Sequence, residues 1–197
     1  VGSEMCIRDS VRAMTREEQD RVHTRWSDAY PPASELAITL EEVCGRPMYS
    51  ASSSIETSKS AGALFDSICR IGGREGWFHG NWMWRLRGAF DRVIMGVGTT
   101  RGRKSASGLR ASDVVDFWRV EDIIPSKRLL LRAEMKMPGK AWLEFHIGDH
   151  GDRRELSLTA RYLTSTLFGR AYWYFFLPFH RFIFKGLIRQ IEERSGG

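Results

Sequence analysis

Cysteine is scarce in this chain. Cys6, Cys44 and Cys69 fall into no metal-ligand spacing, and an odd number leaves no complete disulfide set. A reducing, cytoplasmic setting is therefore expected. Long apolar runs are missing too. The longest approach to one, Ala171 to Ile183, is interrupted by Pro178, His180 and Arg181, and a membrane helix needs roughly 18 uncharged apolar residues. The first ten residues hold no apolar stretch of the signal-peptide kind. No Tyr-x-x-x-Lys occurs, so the base pair of a short-chain dehydrogenase is absent from this portion. Charge of one sign is only mildly in excess, with 30 Lys and Arg against 24 Asp and Glu. The densest basic group (Arg101, Arg103, Lys104, Arg110) sits in a Gly/Ser-rich stretch and forms no stripe of the kind that follows a phosphate backbone. Nucleic acid is not an expected partner.

What is present is an ordinary soluble composition, 42% apolar and 27% charged over 197 residues, enough for one domain with a core and an appendage. Residues 1–10, VGSEMCIRDS, resemble the in-frame translation of a sequencing adaptor. On that reading the natural chain starts further upstream. Residues 11–47 are polar, broken by Pro31-Pro32, and carry Leu36, Leu40 and Val43 on one side of a short helix capped by Ser34. They read as the linker or tail of a missing upstream domain. Residues 48–195 read as the folded unit.

That unit opens with Tyr49 to Thr57, rich in Ser and Thr and suited to an edge strand. Ser60 caps a helix with Leu64, Phe65, Ile68 and Ile71 on one face, ended by Gly72-Gly73. A second helix is expected over Met83 to Val97, its buried face set by Met83, Leu86, Phe90, Val93, Ile94 and Val97. From Thr99 the period changes to two. Val114 to Ile123, Arg128 to Met137, Ala141 to Ile147 and Glu155 to Tyr162 alternate as strands of an antiparallel meander. The chain closes with a helix from Phe168 to Arg194. Its apolar stripe is Tyr172, Phe175, Phe176, Phe179, Phe182, Ile183, Leu187 and Ile191, with Pro178 expected to kink or split it. This order of elements predicts an α+β, helix-grip arrangement, a curved antiparallel sheet wrapped around the long C-terminal helix.

The blocks IGGREGWF, NWMWRLRG, GVGTTRGRK, DFWRVE, LLLRAEMKMPGKAWLEF and FGRAYWYFFLPFHRFIF together resemble the family called domain of unknown function 2867, over about Tyr49 to Arg194. The resemblance implies a START-like (SRPBCC) helix-grip fold. It also implies a position C-terminal to an NAD(P)-binding, atypical short-chain dehydrogenase domain, with RWSDAYPPASELA similar to the linker of such fusions. The family offers no catalytic residues to carry over. No cofactor is expected in this portion, and NAD(P) would belong to the missing N-terminal domain.

The remaining chemistry is modest. Gly96-Val97-Gly98-Thr99-Thr100-Arg101-Gly102 has the wrong spacing for a dinucleotide loop and follows a helix where a strand is required. His180 has no nucleophilic partner at a recognisable spacing. A three-residue loop, Pro138-Gly139-Lys140, would set Met135 opposite Leu143, Ala133 opposite Phe145 and Glu134 opposite Glu144. The two carboxylates then form either an acid/base pair or ion pairs with neighbouring arginines. Trp77, Trp82, Trp84, Trp118, Trp142 and Trp173, with Tyr172 and Tyr174, either line a ligand cavity or fill a core. The candidate cavity set is Trp82, Arg85, Arg87, Asp91, Trp118, Glu134, Trp142, Tyr172 and His180.

Two functions follow. One is a helix-grip module that holds a small apolar or aromatic ligand and serves an upstream Rossmann domain. The other is a module that docks on a membrane or partner through the aromatic C-terminal helix, with Arg170, Arg181, Lys185 and Arg189 facing anionic lipid. A cavity predicts a buried aromatic stripe on that helix; docking predicts an exposed one.

Overall fold

A computed structural model describes residues 39–43, 48–72, 76–77, 108–135 and 137–196. The helix expected over Met83 to Val97, the glycine loop 96–102, and with them Trp82, Arg85, Arg87 and Asp91, lie outside the described residues.

Six strands form one antiparallel sheet: β1 (Tyr49–Thr57), β2 (Val114–Val115), β3 (Trp118–Ile124), β4 (Arg128–Ala133), β5 (Lys140–His150) and β6 (Arg153–Leu163), in the order β1-β6-β5-β4-β3-β2. Helix α1 (Ala61–Ile68) follows β1, and helix α2 (Leu167–Arg194) closes the chain. The curved sheet holds α2 against its inner face, so the fold is α+β and of the helix-grip kind. Tyr49 to Thr57 is indeed an edge strand, paired only with β6.

Alternation along the strands sorts side chains onto two faces. Leu129, Leu131, Leu143, Phe145, Ile147, Leu156, Leu158 and Tyr162 point inward to one buried cluster. That cluster also takes Leu64 and Ile68 of α1, and Trp173, Phe184, Leu187, Ile188 and Ile191 of α2. A smaller cluster of Leu130 and Trp142 lies on the outer face, covered by Val43. Val43 ends a short 3-10 turn, Glu41–Val43. Part of the stretch read as linker therefore packs on the sheet.

Local chemistry sets several boundaries. Ser60 caps α1 by accepting a hydrogen bond from Ala63 N. The helix ends at Cys69, before the glycines expected to stop it. Gly72 (φ +83°) instead forms a bridge with Gly76, and a Cβ there would collide with Val115 Cγ1. The run Val114 to Ile123 is two strands rather than one. A tight turn at Asp116 (φ +56°) and Phe117 pairs Val115 with Trp118. Asp116 tolerates the left-handed region, and its carboxylate accepts from Trp77 Nε1 at 2.9 Å.

The β4–β5 register also departs from expectation. Leu131 faces Leu143 and Leu129 faces Phe145, a displacement of four residues from the predicted pairing, so Glu144 lies opposite Leu130 and not Glu134. An even displacement leaves every side chain on its predicted face. The cause lies on the flanking strands. Glu134 is held by β3, its N–H donating to Phe117 O at 2.9 Å and its carboxylate bound by Arg119. Lys140 is held by β6, paired with Leu163. The slack falls in residues 134–139.

Helix α2 is continuous through Pro178, which lies on its exposed side. Its buried residues are Gly169, Trp173, Ile183, Phe184, Leu187, Ile188 and Ile191. The expected stripe is correct only for the second half, because Phe175, Phe179 and Phe182 are exposed. Gly169 abuts the Pro138 carbonyl, where an added Cβ would come within 2.6 Å of the oxygen and would also meet Thr164. Gly169→Ala is expected to cost on the order of 1–3 kcal/mol in chemical denaturation. Gly62→Ala, in open space on α1, should instead be neutral or stabilising by up to about 1 kcal/mol.

Candidate functional site

On the inner face the strands differ in side-chain size. Trp118 pairs with Ala133, and Ala141 pairs with Tyr162, which pairs with Tyr49. Continuing the β4–β5 register by one residue brings Ala133 beside Ala141. Two alanines between a tryptophan and two tyrosines leave the middle of that row low. Both alanines are half-buried, as are Met135 and Met137 next to them.

Two buried polar atoms of this apolar interior have no hydrogen-bond partner, Trp118 Nε1 and His180 Nδ1. Buried polar groups are almost always satisfied, so each needs a reason. Trp118 sits against Phe117 and Trp77, with ring centroids 5.7 and 6.1 Å away. His180 projects from α2 between Trp173 (5.2 Å) and Phe184 (5.4 Å, stacked). Burial pushes its pKa down to about 4, because the charged ring would lose its water and find no compensating acceptor. The ring is therefore neutral at pH 7, one nitrogen a donor and the other an acceptor.

Tyr172 is half-buried near the start of α2, its ring 6.0 Å from Tyr162 and 4.7 Å from Phe176. Tyr162 is itself raised to about 12 by burial, and its hydroxyl donates to Pro138 O at 2.9 Å.

Trp142 and Glu134 stand on the opposite, outer face. Trp142 packs with Val43 and Leu130 and donates from Nε1 to Glu121 Oε2 at 3.0 Å. Glu134 takes Arg119 at both oxygens. Alternation along β5, with Leu143 inside, compels this for Trp142. Of the nine candidate residues, Trp118, Tyr172 and His180 remain on the inner side, these two are outside, and four lie beyond the described residues.

A groove of about 630 Å³ opens at the other end of α2. Its walls include Phe65, Asp66 and Arg70 from α1 and its exit, Leu109, Ile123 and Pro125 from the β3–β4 end, and Arg194. The Arg70 guanidinium donates to Arg194 O at 3.0 Å, which holds it over the rim. None of the five described candidates lines this groove. The signal was thin: Arg70 follows a helix, Pro125 reads only as a turn, and Leu109 lies in a Gly/Ser-rich stretch. Among the described residues no three His, Cys, Asp or Glu side chains are grouped to hold a metal ion.

An inner face roofed by a C-terminal helix, with a groove at its end, defines a helix-grip protein with room for a small molecule. The family described as "Protein of unknown function (DUF2867)" matches residues 44–187, and the chain belongs to that family. No protein of curated function matches the sequence. Among solved structures, the chain is similar to the ZhuI aromatase/cyclase from Streptomyces sp. R1128, at 12% identity and TM-score 0.46, over 76% of this chain and 94% of that one. It is similar to a START superfamily protein from Mycobacterium smegmatis at 12% identity and TM-score 0.43, over 74% and 96%. It is also similar to CalU16 from Micromonospora echinospora at 12% identity and TM-score 0.35, over 76% and 94%.

His180 carries a pH consequence. The unfolded chain takes up a proton at the ordinary value of 6.5, the folded chain only near 4. Between those values protons favour unfolding, so stability falls as pH is lowered, by about 3 kcal/mol in full. Titration of the His180 ring by NMR should give the low value, and His180→Leu should remove this part of the acid lability.

Proposed function

We propose that the chain is a binding module for a small, largely apolar molecule that carries an acidic group. The groove at the end of α2 is the observation behind this reading. Its volume lies within the range of small-molecule sites, and such sites pair an apolar floor with a few fixed polar groups. Phe65, Leu109, Ile123 and Pro125 provide the floor. The rim carries Asp66 as well as Arg70; of the two, Arg70, positioned by Arg194 O, is the group that would meet a carboxylate or phosphate. The unpartnered nitrogens of Trp118 and His180 support polar groups of a ligand reaching further under α2. No reaction is assigned. The resemblance of RWSDAYPPASELA to a fusion linker supports service to an NAD(P)-binding domain upstream, and the scarcity of cysteine supports a cytoplasmic setting.

Native mass spectrometry of the whole chain, followed by extraction, should release an acidic apolar compound. Ile123→Trp, which fills the groove, should abolish its retention while far-UV circular dichroism stays unchanged. Arg70→Ala should weaken it by about tenfold or more, as expected for loss of a charge-assisted hydrogen bond. Equal retention by both variants would remove the groove as the site.

A further inference from the structure

The first half of α2 presents a second apolar face, turned away from the sheet. Leu167 is 80% exposed, Phe168 72%, Phe175 66%, Tyr174 61% and Phe179 41%. Phe168, Phe175 and Phe179 follow one another at intervals of seven and four residues, so they form one stripe along the helix. The rings of Phe175 and Phe179 are 6.1 Å apart. The core is served by the other side through Trp173, Phe184 and Leu187; Tyr174 packs edge-on against Tyr49, while Phe168, Phe175 and Phe179 stay largely exposed. Large exposed apolar patches of this kind mark interaction sites.

Charge identifies the occupant. From Leu167 to Ile191 the helix carries Arg170, Arg181, Lys185 and Arg189 and no Asp or Glu, and all four cations are exposed. At about 100° per residue, Lys185 and Arg189 flank the Phe168-Phe175-Phe179 stripe at roughly 60–100°, whereas Arg170 and Arg181 fall roughly 140–160° from it, beside Tyr174. Pairing with a second copy would press these cations together, with Glu193 at the far end of α2 as the one exposed carboxylate of the helix to receive them. An anionic lipid surface meets both halves of the pattern, acyl chains taking the phenylalanines and headgroups the cations.

We infer that the outward face of α2 docks the protein on anionic membrane surfaces. The helix lies along the interface rather than across it; no helix among the described residues is long and apolar enough to span a bilayer. Its inner side stays packed on the sheet. The docking face is thus already formed, and no ordering cost opposes binding. This inference rests on α2 alone and is independent of the groove.

The test is sedimentation of the full chain with vesicles of phosphatidylcholine, alone or with about a third phosphatidylserine, at roughly 0.1 M salt. Pelleting with the anionic vesicles, and release at high salt, is the expected result. Phe175→Ser with Phe179→Ser should lower the partition coefficient by about tenfold or more. Lys185→Gln with Arg189→Gln should lower it by about fivefold per cation. All four positions are exposed, and unchanged thermal unfolding would verify that the variants fold. Absence of pelleting, or pelleting equal for neutral vesicles and both variants, would overturn the inference. So would a concentration-dependent dimer that the phenylalanine variant dissolves, since a second copy would then be the occupant.

Discussion

The carbonyl oxygen of Pro138 fixes how the helix lies on the sheet. It accepts from Tyr162 Oη at 2.9 Å and from Thr164 Oγ1 at 2.8 Å, tying the β4–β5 connection to the corner where β6 turns into α2. Thr166 caps the helix by accepting from Gly169 N at 3.0 Å, and Gly169 is small enough to press against the same Pro138 oxygen. The start of α2 is thereby held at one corner of the sheet. The far end is held by Thr57, which donates to Glu192, and by Ser67, which donates to Ile191 O. Between these two clamps the helix has one lie over the inner face, and that lie decides which side carries Trp173 and His180 inward and which carries Phe175 outward.

The two faces of the sheet handle charge in opposite ways. On the outer face, arginines and carboxylates alternate across strands. Glu144 receives Arg128 at 2.8 Å and Arg161 at 2.6 Å, while Arg132 stands 3.6 Å from Glu121. Cross-strand pairs of this sort hold register as much as they stabilise. Glu121, at the irregularity between Val120 and Asp122, lies on this face and accepts from both Leu40 N and Trp142 Nε1. Among the described residues the strands' inner face is lined by apolar side chains. A polar group there stays neutral, and His180 does so through its lowered pKa. The low inner row at Ala133 and Ala141 belongs to this apolar side, and the groove beyond Ile123 adds charge only at its rim, through Asp66, Arg70 and Arg194.

Strand content, strand faces and the closing helix were legible in the sequence because period-two alternation survives any register that slips by an even number. The register itself was not. The three-residue loop Pro138-Gly139-Lys140 could be expected only while the pull of Arg119 on Glu134 was unknown, and that contact joins residues 15 apart along the chain. The first half of α2 misled for a different reason. Its aromatics are dense enough that more than one stripe can be drawn through them; the choice of Trp173 over Phe175 follows from the corner at Pro138, which no local pattern reveals. Trp142 joined the candidate cavity by residue type, although its own alternation with Leu143 already placed it on the other face. The groove was hidden because it assembles the exit of one helix, a turn and the end of another.

The edge strand β1 pairs Tyr49 with Tyr162 and Thr57 with Arg154, partners separated by roughly a hundred residues. Contacts so distant in sequence close late, because the intervening chain must first give up its loop entropy. During synthesis β1 leaves the ribosome early and waits, unpaired, until β6 and α2 have followed. A waiting strand is an invitation to wrong pairing between nascent chains. Ser50, Ser52 and Ser54 on its outer side, poor material for a dry zipper, keep it soluble through that interval, so the serine-rich composition of this strand protects the birth of the protein as well as forming its edge.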